Sequence, residues 1–210
     1  MTDSAEARGP SLNEGAPAIL RPVLDAIDRL GRLDGWIAGG CLILLTMLMI
    51  TEVVVSAVAN SVYWLRAKGV AWLPADMPAS VPNAWEYSSY LMAASFTFGA
   101  AMTLRAGGHI RVTLLLARLS PGRRRLFEIV AALAGLLMSG FLAYSMVMFS
   151  WGSYVRGATS INSDTPVWIP QALITFGITL LALQFVARFL QAVCGLPLED
   201  PRLRVASVAE

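Results

Sequence analysis

WIAGGCLILLTMLMITEVVVSAV, residues 36–58, carries one charged side chain, Glu52, in an otherwise unbroken apolar run. The hydrocarbon core of a bilayer is about 30 Å thick, and a helix rising 1.5 Å per residue crosses it with roughly 20 apolar residues. Three more stretches meet that length: 84–104 with Glu86 at its start, 126–154 with Glu128 near its start, and 169–192 with Arg188 near its end. A helix satisfies its own backbone hydrogen bonds in lipid, and the strict alternation of a barrel strand is absent. The sequence therefore predicts an all-α integral membrane protein with four transmembrane helices over 36–58, 84–104, 126–154 and 169–192, within a membrane domain of 35–192.

Composition agrees. Of 210 residues, 56% are hydrophobic and only 14% charged, against about 25% charged in a soluble domain, and the mean hydropathy is +0.62. Such a chain is neither disordered nor an ordinary soluble domain. Its two cysteines, Cys41 and Cys194, both lie in apolar runs, which excludes a disulfide scaffold. The formal charge of +2 matters through its placement, and no nucleic-acid partner is expected.

Thirteen of the sixteen basic residues fall before the first span, between the second and third, or at and after the end of the fourth, leaving Arg66, Lys68 and Arg156 in the other loops. The positive-inside rule then predicts both termini in the cytoplasm, with the inner membrane of a bacterium as the location. Residues 1–20 read as a disordered cytoplasmic tail and 193–210 as a second tail, with the first span serving as an uncleaved signal anchor. Val23, Leu24, Ile27, Leu30 and Leu33 recur at helical spacing. They predict a short amphipathic interfacial helix over 21–34, bent from the first span at Gly31 and Gly35, with a continuous helix as the alternative. Residues 110–119 read as a second interfacial segment. Side-chain caps are expected from Asn83 and from Ser120 before Pro121. Thr165-Pro166 marks the approach to the fourth helix, and Gly107-Gly108 the end of the second. The outer loop 61–83 is long, with Pro74, Pro78 and Pro82 and flanking tryptophans, and either skims the leaflet or meets a soluble partner.

Few residues carry chemistry. Glu52 is the one carboxylate well inside a span, where charge costs about 3 kcal/mol or more. It lies six residues before the predicted helix end, so it reaches the outer interface, stays protonated, pairs with another subunit, or is a tolerated structural group. Glu86 and Glu128 sit in first turns, where a carboxylate complements the helix dipole. His109 is the single histidine, which cannot supply the two axial ligands of a b-type haem, and with Cys41 and Cys194 makes no zinc set. No catalytic triad, phosphate loop or CxxC is present, so no enzyme activity, metal or cofactor is expected. Ser95, Gly99 and Thr103 on the second helix, and Ala132, Gly135, Ser139 and Ala143 on the third, form small-residue stripes. These pack the bundle internally or receive another subunit.

Trp85-Glu86-Tyr87, then Phe98-Gly99-Ala100-Ala101, then Leu104-Arg105-Ala106-Gly107-Gly108-His109-Ile110 resembles the small permease of tripartite ATP-independent periplasmic (TRAP) transporters. Thr165-Pro166-Val167-Trp168-Ile169-Pro170-Gln171 resembles that family's entry to its fourth helix. The resemblance spans about residues 36–190. Thr113 stands where many relatives carry an aspartate, and the arginine often found after the first helix is missing between Ser56 and Asn60. The resemblance implies a non-catalytic subunit that braces a large permease and works with an extracytoplasmic solute-binding protein, in a sodium-coupled importer of an organic acid. Membrane lipid is the remaining partner. Glu52, Trp85, Glu86, Ser95, Gly99, Arg105, Gly108 and His109 are the candidate subunit-interface or structural residues. The alternatives are a stand-alone membrane scaffold or assembly protein and the membrane anchor of a redox enzyme.

Overall fold

The structure, a computed structural model, describes residues 13, 15–105 and 120–196. Four helices carry it: α1 (Arg21–Ala67), α2 (Ala84–Arg105), α3 (Pro121–Val155) and α4 (Trp168–Cys194). Three of them, α1, α3 and α4, are long and apolar enough to cross a membrane. The fourth, α2, is a 22-residue helix threaded with Ser, Thr and Tyr.

The helices form an open slab rather than a closed ring. α4 lies between α3 and α2, and α1 packs along α2 and reaches α4. Small residues set these approaches. On α3 the stripe Ala132, Gly135, Ser139 and Ala143 faces inward, and a Cβ at Gly135 would stand 2.2 Å from the Phe185 ring of α4. That stripe is therefore internal packing. A Cβ at Gly177 of α4 would stand 2.7 Å from Thr97 of α2, and one at Gly99 would touch Ala38 of α1 at 3.9 Å. Phe98, fully buried, fills the middle with Cys41, Ala94 and Leu180.

Several boundaries differ from those predicted. α1 is one helix of 47 residues, about 70 Å long by the helical rise, so the predicted interfacial helix 21–34 is its first third. Gly31 and Gly35 do not break it, because they are sites of close approach. A Cβ there would stand 2.4 Å from the Gln184 amide nitrogen and 2.2 Å from the Met102 sulfur. The helix also runs past Val58 to Ala67, which shortens the outer loop to 68–83 and puts Glu52 fifteen residues from the helix end instead of six. α3 begins at Pro121, with proline at the first helical position as predicted, yet Ser120 makes no side-chain cap. Asn83 takes a left-handed φ of 57°, and its backbone carbonyl, not its side chain, receives the Glu86 and Tyr87 amides. α4 starts at Trp168, within one residue of the predicted 169. Pro170 fits inside its first turn, where amides need no helical acceptor.

The N-terminal segment also departs from the predicted tail. Asn13 is fully buried, and Ala16 and Leu20 pack with Leu24, Ile27 and Ala187. Gly107, Gly108, His109, the segment 110–119 and most of the C-terminal tail lie outside the described residues.

Candidate functional site

Polar side chains gather at two levels of the slab, and the helices between them carry no Asp, Glu, Lys or Arg over 35–51, 87–104, 129–155 and 168–187.

The first level is at the start of α1 and the ends of α2 and α4. Arg105, 7% exposed, pairs with Asp28 at 3.5 Å, and its guanidinium also donates to the Asp28 carbonyl. Gln184 donates to the Ile27 carbonyl at 2.9 Å. That contact is possible because Gly31 has no side chain in the way. Arg188 donates to the Leu104 carbonyl, and Gln191 donates to Asn13 at 3.0 Å. Asn13 in turn donates to Asp25 at 2.9 Å and to Asp28 at 3.0 Å.

The last carbonyls of a helix have no acceptor duty within it and need outside donors, and a cation there complements the helix dipole. Arg188 supplies that to α2. Arg125 of α3 supplies it to α4, donating to the Ala192 carbonyl at 3.3 Å and to the Val193 carbonyl. Gly195, at φ 71°, closes α4 with amides of 195 and 196 bonded back to Ala192 and Gln191. Asp34 is fully buried just inside this level, with no hydrogen-bond partner among the described residues on either carboxylate oxygen.

The second level is at the start of α2 and α4. Glu52, 8% exposed, accepts the Val81 amide at 2.6 Å. Three further bonds continue along the same face of α1. Ser56 donates to the Ala79 carbonyl at 2.9 Å, Tyr63 to Met77 at 2.7 Å, and Arg66 to Leu73. The segment after α1 is thereby fastened back along the helix, with Glu52 as its deepest clasp. Glu86 accepts from Tyr90 at 2.6 Å and from Ser163 at 3.0 Å. Tyr87 and Thr165 share a hydroxyl bond of 2.9 Å. So Glu86, in the first turn of α2 as expected, also joins that helix to the α3–α4 turn. Glu128, by contrast, lies beyond the first turn of α3, because that helix already starts at Pro121, and it pairs with Arg124 at 3.3 Å. Tyr154 stacks edge-on to Trp168 at 5.4 Å.

The structure thus brings Glu52 and Glu86 to one level and Arg105 to the other. Trp85 stands 74% exposed, Ser95 is half-buried, and Gly99 faces α1. The predicted set missed Asp28, Asn13, Tyr90, Ser163, Gln184, Arg188 and Gln191 as members of these layers. One signal could have found some of them. Gln184, Arg188 and Gln191 recur at helical spacing in the otherwise apolar second half of α4, after Thr179, which marks a face turned toward protein. Among the described residues, no group of three His, Cys, Asp or Glu could hold a metal ion.

The family model described as "Tripartite ATP-independent periplasmic transporters, DctQ component" matches residues 45–195. The chain is 33% identical over 98 residues to the C4-dicarboxylate TRAP transporter small permease protein DctQ of Rhodobacter capsulatus, covering 47% of this chain. It spans 41% of that relative's length. No solved structure matches the chain. A match over most of the sequence, carried by apolar helices able to cross a membrane, makes the chain a member of the DctQ component family, the small permeases of TRAP transporters.

Proposed function

We propose that this protein is the four-span small subunit of a binding-protein-dependent, sodium-coupled importer of an organic acid. It braces a large permease and leaves the translocation path to that partner. α2 is the remaining span, and the level of Asp28 and Arg105 faces the cytoplasm, with both termini on that side. The observation that carries the reading is the distribution of charge. An organic anion crossing the membrane needs cationic or polar lining at mid-depth, and the described helices hold no Asp, Glu, Lys or Arg over 35–51, 87–104, 129–155 and 168–187. Phe98, Cys41, Ala94 and Leu180 close the middle instead. The polar groups are spent on fastening helix ends, which is what a rigid support requires. The matching family is described as one component of a tripartite transporter, which supports a role beside other subunits.

The reading is tested by uptake in cells carrying the chain, the large permease and the binding protein. A panel of labelled organic acids is offered with and without sodium. One acid should enter in a sodium-dependent way, stop entering when this chain is deleted, and enter again when it is restored. Uptake of every acid unchanged by deletion contradicts the reading.

A further inference from the structure

Two observations on α1 point to a single occupant of its uncovered side. The first concerns glycine. Gly31 and Gly35 are filled by Gln184 and Met102, whereas a Cβ at Gly39 or Gly40 would meet nothing within 4 Å. A glycine inside a helix costs about 1 kcal/mol relative to alanine, and no neighbour among the described residues accounts for these two. Gly40 stands on an exposed stripe with Trp36, Ile43, Met47, Val54 and Val58. The stripe lies opposite the buried face of Gly31, Asp34, Cys41 and Glu52.

The second observation is length. The levels of Asp28 and Glu52 are about 36 Å apart along α1, which already accounts for a hydrocarbon core of about 30 Å. Past Glu52 the helix continues to Ala67, about 22 Å further. Residues 73–81 run irregularly beside that extension, bonded to Ser56, Tyr63 and Arg66. Irregular backbone does not face lipid in the hydrocarbon region, so the extension stands in water. Val54, Val58 and Leu65, at 54%, 44% and 38% exposure, carry the stripe into it.

Lipid can cover the lower part of the stripe but not the upper, and a soluble protein can cover only the upper. We propose that this face of α1, from Trp36 to Leu65, is the seat of the large permease, a membrane-spanning protein whose own chain rises beside the extension. The absence of a side chain at Gly40 admits one of its helices closely within the membrane. The inference rests on the proposed function, because that reading supplies the large partner.

The test uses the chain co-expressed with the large permease in intact membranes, with a photo-crosslinking amino acid at position 43 or 58. Both positions should give an adduct of the two subunits. A probe at Phe141, exposed on α3, should give about tenfold less. Gly40→Leu and Val58→Arg should each lower recovery of the large permease with the tagged chain at least tenfold, while the chain itself inserts and purifies at its usual yield. If the unaltered chain brings down the large permease but both variants do so fully, the seat is misassigned and the proposed function stands. If the unaltered chain brings down no larger membrane protein, the proposed function itself falls. An adduct of twice 22.6 kDa from both positions, or an adduct from position 58 alone, also overturns the assignment.

Discussion

Arg105 and Asp28 are 77 positions apart in the chain and form an ion pair in which neither partner is freely exposed. Removing one member of such a pair leaves an uncompensated charge and typically costs about 3–5 kcal/mol, whereas replacing both with apolar residues is often tolerated. Arg105→Leu should therefore lower the thermal midpoint of the purified protein by several degrees, and Asp28→Leu with Arg105→Leu should recover most of the loss. Equal midpoints for the single variant and the unaltered protein would show that the pair contributes nothing. Glu52 makes a different kind of contact, a carboxylate oxygen on the Val81 amide. Glu52→Gln retains an acceptor there and should have little effect, while Glu52→Lys replaces it with a donor and should release the segment 68–83. Proteolysis of that segment in intact membranes measures the difference. The sequence singled out both residues, Arg105 through the motif it belongs to and Glu52 through its apolar surroundings. Their partners were not legible, because Asp28 and Val81 are brought to them only by the packing of whole helices.

The helices themselves were largely legible from apolar length, since the bilayer imposes a minimum that chance rarely supplies. Their ends were less so. Gly31 and Gly35 weaken a helix by intrinsic propensity, and only the neighbouring Gln184 and Met102 show that packing outweighs that cost. Asn83, Ser120 and Thr165 carry the side chains of good caps, yet the structure assigns the duty to a backbone carbonyl at Asn83 and no side-chain cap at Ser120. On α3 two glycines five residues apart separate packing from propensity. Gly135 faces the Phe185 ring, and Gly140 faces nothing within 4 Å. Gly135→Ala should force α3 from α4 and cost about 1–3 kcal/mol, whereas Gly140→Ala should stabilise by roughly 0.5–1 kcal/mol. Thermal denaturation of the isolated chain in detergent compares them, and equal shifts would contradict the close α3–α4 contact.

At the scale of the molecule, the chain is a multi-pass inner-membrane protein of the TRAP small permease family. It is built as a slab with its helix ends tied by arginines at one level and hydroxyl–carboxylate contacts at the other. The proposed function puts the first of these levels inside, as the count of arginines predicts. With Cys41 and Cys194 replaced, a cysteine at Arg123 should resist an impermeant thiol reagent applied to spheroplasts, and one at Ser160 should react. The reverse pattern would invert the assigned sidedness. The central claim is that the slab supports a larger protein instead of transporting alone. Its most direct measurement is the mass of the particle recovered in mild detergent when the tagged chain is expressed with the large permease. The account predicts a stable complex holding one copy of each subunit. Recovery of the tagged chain by itself, with the large permease intact in the unbound membrane fraction, would contradict it.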